Sequence, residues 1–565
     1  MIGTNDKPGK KLNLVNVTEL IAEEYKDWKN GDYVIIESQT GTGKTYFIET
    51  TLIKYLSWSS ILYVCNRKNL ERQIKRDLLI ISGKDVPSSN EVLDKIKEIG
   101  NTTVTTYQAI QEGLLNDAYF KSEYWAAEDK KWYRFIILDE CHYIFSDSNF
   151  NNGTRLAFDE FIRGLHIDSI KIFMAATTSE IKGPVLEYVE RIKKATPYIG
   201  VEAGTAYKPR VYSSRMDYSY VNTKYFKYIE DIITTIQNDT SDDKWIVFVS
   251  NKEKDGQPMK ERLGEDATFV TKDTDLNDPE LVSIINNSRF SKKVLITTKT
   301  LDNGINIKDE KVKHIVIMAW DMITLIQMLG RRRVDIENAD IVNLYIPTRD
   351  VRSFRTLLMV YNDKINEIDL CFNDPIAFSR KYDNNPKELG VKYGELFYRN
   401  KDTGNWAVNL TGEWRVRADK KFAEYIIQKF KAEGRFAFVR EQLSWIGLEH
   451  TFNEKNLLGD VVPNPVSDEL ENYLSDLYTT GKAMLMSKER QELIARINER
   501  NRDGKLLKRI GTLNSKLKGL GSKYCIKECE TSRTVDGKKK NYKSAWKIEK
   551  REKADQPPYL DEKLN

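Results

Sequence analysis

The sequence predicts an α/β protein with two parallel sheets in tandem, then a mixed α+β accessory region and a basic C-terminal module. Three observations carry that expectation. Short apolar runs of strand type alternate with helical segments through the first 350 residues, and strands alternating with helices imply a parallel sheet. A glycine-rich turn, SQTGTGKT (Ser38–Thr45), joins the first such strand to a helix. Two adjacent carboxylates, Asp139 and Glu140, end a later strand.

A chain of 565 residues predicts several domains, roughly three or four by length. They are placed at 1–205 and 206–350 for the two parallel-sheet domains, 351–481 for the accessory domain and 482–565 for the basic one. With 40% hydrophobic residues and a mean hydropathy of −0.55 the chain reads as globular. No stretch approaches the ~20 apolar residues of a membrane span. The opening MIGTNDKPGKKLNL lacks the apolar core of a secretion signal. A cytoplasmic protein with no membrane partner is expected. Five scattered cysteines and four histidines fit a reducing compartment and no zinc spacing. Net charge is +5, yet Lys482–Lys553 holds 22 Lys and Arg against 9 Asp and Glu. That imbalance suggests a phosphate-binding appendage, with a solvated tail as the alternative.

The first strand is YVIIES (Tyr33–Ser38), followed by the glycine turn and the helical YFIETTLIKYL. Strand, glycine turn and helix are the context of a phosphate-binding loop. Backbone N–H groups of Thr40, Gly41, Thr42 and Gly43 can approach phosphate oxygens, and the helix N-terminus adds partial positive charge. Lys44 pairs with the β- and γ-phosphates of ATP and Thr45 ligates Mg²⁺ in such a loop. Ser38 stands where the general pattern has its first glycine. SILYVCNRKNLERQIKRDL and TTVTTYQAI add two strands running into helices. RFIILDECHYIF is a buried strand whose Asp139 can hold Mg²⁺ through water. Glu140 is placed to orient or deprotonate the attacking water, and His142 can couple the γ-phosphate to the second domain. KIFMAATTSE is a further strand.

KWIVFVSNKEK begins a second round of alternation, continued by KKVLITTKTLDNGINIKD and HIVIMAW. TLIQMLGRRRV is a helix with arginines near its end. TGTGKT, DECH and QMLGRRR, in this order, resemble the motifs of superfamily 2 DExH-box helicases, over roughly residues 15–350. The resemblance implies two RecA-like domains with ATP between them and nucleic acid across both. It implies that Arg67, Thr106 and Gln108 hold phosphates of one strand, and that Ser250, Thr298, Asp302 and Gly304 act from the second domain. Asn306 stands where many relatives carry Asp. Gln327 and Arg331 match the Q-x-x-G-R core, with Arg331 reaching the γ-phosphate. The second arginine of many relatives falls at Val334, so Arg333 is the next candidate; this spacing resembles viral origin-binding helicases and phage or mobile-element relatives. Ala175-Ala176-Thr177 occupies the place of an S/T-A-T motif, with Thr177 and Thr178 as substitute hydroxyls or an ordinary strand end as the alternative.

After residue 350 the motifs stop. VRSFRTLLMVYNDKINEI reads as helix, and LFYRNKDTGNWAVNLTGEWRVR as short strands joined by turns. Its aromatic residues form the core of a small domain or a base-stacking surface. Two helices then precede a β-hairpin whose tip carries Lys538, Lys539 and Lys540. This order resembles a winged helix-turn-helix contacting phosphates, with protein docking as the alternative. The leading functional expectation is an ATP- and Mg²⁺-dependent DNA helicase or translocase acting in replication, repair or mobile-element biology. An RNA helicase is the second reading. A non-catalytic scaffold with a relic ATPase fold is the third, opposed by the intact Lys44, Thr45, Asp139, Glu140 and Arg331.

Overall fold

The computed structural model describes residues 10–56, 59–115, 133–148, 150–164, 169–187, 190, 209–275, 277–298, 306–401, 403–458, 468–481, 483–484, 487–499, 506–520, 522–535 and 538–551. It forms two compact units, Met1–Leu457 and Leu458–Asn565.

In the larger unit, β1 (Tyr33–Glu37), β2 (Ile61–Cys65), β3 (Glu98–Ile99), β4 (Thr102–Thr106), β5 (Phe135–Asp139), β6 (Ile170–Ala175) and β7 (Pro209–Ser213) form one sheet. Its order is β3-β4-β2-β5-β6-β1-β7, parallel except for β3. The central strands are buried along their length, as expected for a parallel sheet covered on both faces. Alternate residues feed opposite cores. Val34 and Ile36 join Phe47, Ile61 and Tyr63 on one face, and Tyr33 and Ile35 join Leu62, Ile136 and Phe173 on the other. The sheet extends past residue 205: β7 pairs in parallel with β1, and the hydroxyl of Tyr212 accepts from Trp28 Nε1 at 3.1 Å.

The second sheet comprises β8 (Val221–Phe226), β9 (Lys244–Phe248), β10 (Ala267–Val270), β11 (Val294–Thr297), β12 (Val312–Ile317) and β13 (Val342–Pro347). Its order is β10-β11-β9-β12-β13-β8, all parallel. Two RecA-like cores with flanking helices are therefore present.

The accessory region is mostly helical, with helices Val351–Asn373, Pro375–Tyr382, Pro386–Tyr393, Leu410–Glu433 and Ala437–Trp445. One hairpin, β14 (Phe397–Arg399) with β15 (Trp406–Val408), meets the expectation of short strands. The segment LTGEWRVR does not; it opens the 24-residue helix Leu410–Glu433. Val416, Ala423 and Ile426 recur at helical spacing and are buried, which overrides the strand propensity of Trp414 and Val416. Phe378, Tyr382, Tyr393 and Phe397 form this region's core, with Trp406 packed against it.

The smaller unit packs helices Asp468–Thr479, Ser487–Ile497 and Ile510–Gly519 against a hairpin of β16 (Tyr524–Val535) and β17 (Lys538–Lys550). Its core includes Leu470 and Leu474 as well as Leu493, Leu513, Ile526 and Ile548, so it draws on residues before 482. Among the described residues no helix is long and apolar enough to cross a membrane.

Candidate active site

The loop after β1 is shaped by two glycines with left-handed backbones, Gly41 (φ +94°) and Gly43 (φ +83°), a region that side chains disfavour. A Cβ on Gly43 would also come within 3.1 Å of the Asn16 amide. Ser38 is buried, and its Oγ lies 2.8 Å from Thr42 Oγ1, which bonds the Gln39 carbonyl at 2.8 Å. Lys44 opens the helix, and its Nζ donates to the carbonyls of Ser38 (2.6 Å) and Gln39 (3.2 Å). Burial lowers the Lys44 pKa although Glu140 and Asp139 face it.

Asp139 closes β5 in the core. Its Oδ2 accepts from Tyr63 Oη at 3.0 Å and its Oδ1 from the Glu140 N–H at 2.9 Å. Burial, then the neighbouring Glu140 charge, pushes its carboxyl up to about 7. Glu140 has a positive φ of 47°, a strained conformation typical of functional sites. Burial would raise its pKa, but His142, Arg331, Lys44 and Arg333 together hold it below the usual carboxylate range. His142 is buried, with Nδ1 3.4 Å from Glu140 Oε2.

The second domain meets this segment through the helix Met322–Leu329, capped by Asp321, whose Oδ1 accepts from the Thr324 N–H at 2.9 Å. The Gln327 side-chain amide contacts His142 Nε2. The three arginines that follow divide their tasks. Arg332 is buried and pairs with Asp340 at 3.3 Å. Arg331 and Arg333 both lie within electrostatic reach of Glu140. Arg333 Nε donates to Asn306 Oδ1 at 2.8 Å, and burial first, then Arg331, lowers its pKa to about 10. Gly330 abuts the phosphate-binding loop: a Cβ there would fall 2.8 Å from Thr40 Oγ1.

The expected nucleic-acid residues sort differently. Arg67 and Thr106 stand at the ends of the paired strands β2 and β4, and Gln108 Nε2 bonds the Asn66 carbonyl at 3.0 Å. Thr106 is buried and its hydroxyl accepts from the Ala109 N–H at 3.1 Å, capping the next helix. Ser250 and Thr298 follow the paired strands β9 and β11. Asp302 and Gly304 lie outside the described residues. Lys538, Lys539 and Lys540 begin β17 opposite Val535, Thr534 and Arg533, and their side chains lie outside the described ones. Among the described residues, the buried hydroxyls of Thr177 and Thr178 have no hydrogen-bond partner. Glu37 Oε1 instead accepts from the Thr178 N–H at 3.0 Å.

Two contributors are not evident in the sequence. Gln39 Oε1 accepts from the Asp217 N–H at 2.8 Å and its Nε2 donates to the Asp217 carbonyl at 3.2 Å, gripping the segment between the two sheets. Asn16 caps the helix Val17–Ile21, whose Val17 N–H bonds the Thr42 carbonyl at 3.0 Å, while the Leu12 N–H bonds the Ile336 carbonyl of the second domain at 2.9 Å. Gln39 sits inside the glycine-rich string but its partner Asp217 is 178 residues away, and Asn16 lies outside every motif, so only the fold reveals these contacts.

A phosphate-binding loop, a buried carboxylate pair and facing arginines between two parallel sheets define a nucleoside-triphosphate-hydrolysing enzyme of two RecA-like domains. Residues 13–179 match the family model "Type III restriction enzyme, res subunit", and residues 224–333 match "Helicase conserved C-terminal domain". The chain thus has the superfamily 2 DExH/DEAD-box helicase and ATPase architecture, and ATP is the nucleotide those domains imply. No curated protein matches it. Similar solved structures include S. cerevisiae Dbp5 bound to RNA and ADP BeF3, at 17% identity and a TM-score of 0.41, over 60% of this chain and 83% of that one. Mycobacterium smegmatis Lhr bound to ssDNA and AMP-PNP has 13% identity and a TM-score of 0.39, over 71% and 58%. The Escherichia coli DEAH/RHA helicase HrpB has 13% identity and a TM-score of 0.37, over 93% and 65%.

Proposed function

We propose that the chain couples ATP hydrolysis to movement along one strand of a nucleic acid. The observation that carries this reading is the meeting of Gln327, Arg331 and Arg333 with Glu140 and His142, because groups from both domains then surround one carboxylate. Thr40–Gly43 and Lys44 cradle the phosphates. Glu140, kept ionised by the surrounding cations, orients the attacking water and accepts its proton. Arg331, with Arg333 beside it, offsets the charge that spreads over the transferred phosphoryl oxygens. The donor set suits Mg²⁺: Asp139 and Glu140 crowd two carboxylates into one buried place, which a divalent cation relieves. Asp139 and the Thr45 hydroxyl would hold it, and it would neutralise phosphate charge.

The track is a single strand of RNA or DNA; the expectation of DNA gives way to this broader reading, since nothing in the geometry favours one sugar. Arg67, Ser250 and Thr298 just after strands, and Gln108 in the first turn of the helix Tyr107–Leu115, are suited to backbone contacts. The smaller unit, helices followed by a basic hairpin bearing Lys538, Lys539 and Lys540, is read as a winged-helix-like module that adds phosphate contacts.

ATPase activity titrated with RNA, single-stranded DNA, duplex and forked DNA tests the reading. Stimulation by a single strand of either kind supports it and identifies the track. No hydrolysis with any polymer, with Lys44→Ala indistinguishable from the parent, would instead support an inert scaffold.

A further inference from the structure

The long accessory helix Leu410–Glu433 places one guanidinium among carboxylates from three parts of the larger unit. Arg415 Nη1 donates to Glu180 Oε1 at 2.5 Å, in the first domain just after β6. Its Nη2 lies 4.0 Å from Asp321 Oδ2, and its Nε lies 2.9 Å from Asp419 Oδ1 on its own helix. The side chain is only 11% exposed. Lys364 and Tyr361, of the helix Val351–Asn373, face the same cluster.

The partners are what make this cluster more than packing. Asp321 is the N-cap of the helix that delivers Gln327 and leads to Arg331. Glu180 follows the strand adjoining both β1 and β5, which carry the phosphate loop and Asp139. The same helix is anchored on the first domain by Thr411 Oγ1, 2.7 Å from Thr154 Oγ1, and by Asn409 Nδ2 donating to the Ser148 carbonyl at 3.1 Å. A planar guanidinium with five donors can serve several carboxylates at once, which an ammonium cannot do in the same geometry.

We propose that Arg415 is a positioning residue that fixes the arginine-bearing helix of the second domain against the DExH segment of the first. It touches no substrate. It holds Asp321 and Glu180 at one charge, so the accessory helix sets the registry in which Gln327 reaches His142. Without it, Glu180, Asp321 and Asp419 lose the guanidinium they share, Lys364 beside Asp419 is the cation left in the cluster, and the two domains lose that registry.

The inference rests on the ATPase reading, so the test has one arm that does not need hydrolysis. In the full chain, Arg415→Ala is expected to lower stimulated kcat roughly ten- to hundredfold, the scale of a misplaced catalytic group. ADP affinity, set by the first domain, is expected to stay within about twofold. Arg415→Lys recovers part of kcat. Adding Gln327→Ala to Arg415→Ala costs little more, because both act through one helix. Asp321→Asn keeps the helix cap while removing the charge, and lowers kcat in the same sense if Arg415→Ala fails to fold. Independently, spin labels at the exposed positions Val92 and Ile285, with Cys525 and Cys529 replaced by serine, are expected to show a broader inter-domain distance distribution in either variant. An unchanged distribution, with any fall confined to melting temperature, overturns the inference whether or not the parent hydrolyses ATP. Multiplicative losses for Gln327→Ala and Arg415→Ala also overturn it.

Discussion

Gln327 places its side-chain amide on Nε2 of His142, so a residue of the second domain fixes the ring that stands 3.4 Å from Glu140. The His142 ring thus stands between the Gln327 amide and the Glu140 carboxylate. Glu140 thereby meets the second domain through one imidazole.

Gln327→Ala is expected to lower stimulated kcat about ten- to hundredfold while leaving ADP affinity nearly unchanged, because the amide orients the ring and does not bind the ground state. Steady-state kinetics paired with ADP titration checks this, and a rise in KM with kcat intact would show the amide serving binding.

The three consecutive arginines should separate by assay. Arg331→Ala is expected to cost about 10³-fold or more in kcat, the scale of an arginine finger. Asn306→Ala releases Arg333 from its 2.8 Å bond and should cost about tenfold. Arg332→Ala should destabilise the second domain by about 1–3 kcal/mol by breaking its partly buried pair with Asp340, leaving turnover per folded molecule nearly intact. Thermal melts beside single-turnover rates distinguish the three.

A Cβ added at Gly330 would sit 2.8 Å from the Thr40 hydroxyl and 3.1 Å from the Thr40 Cβ, so a side chain there forces the loop or the helix end to shift. Gly330→Ala is expected to hold the domains apart and reduce hydrolysis about tenfold or more. Thr40→Ala in the same chain should recover part of the loss. A double variant no better than Gly330→Ala would place the defect within the helix end itself.

Removing residues 458–565 takes away one complete core. Basal ATPase should survive. Nucleic-acid affinity should fall, and the slope of log K against log salt should become shallower by about 0.7–0.9 for each phosphate no longer neutralised. An unchanged slope would remove the smaller unit from the binding surface.

Much of the site can be read from the chain because its parts are local. Gly41, Gly43 and Lys44 act within one turn, and Asp139–Glu140 ends a strand whose apolar run marks it as buried. The resemblance to superfamily 2 motifs narrows the arginines to Arg331 and Arg333, but only the fold shows that Arg332 turns inward to Asp340 and that Asn306 holds Arg333. Contacts between distant segments leave no local trace: Gln39 and Asp217 are separated by 178 residues, and Arg415 and Glu180 by 235. Trp414 and Val416 mislead for a related reason, as burial on one side of a helix outweighs the intrinsic preference of either residue for strands.

The two-way bond between the Gln39 side chain and the Asp217 backbone ties the phosphate-binding loop to the segment that joins the two sheets. A nucleotide that reshapes the loop is therefore expected to move the connecting segment as well. A fluorophore placed at the exposed position of Arg215, two residues from Asp217, is then expected to report nucleotide binding from outside the cleft.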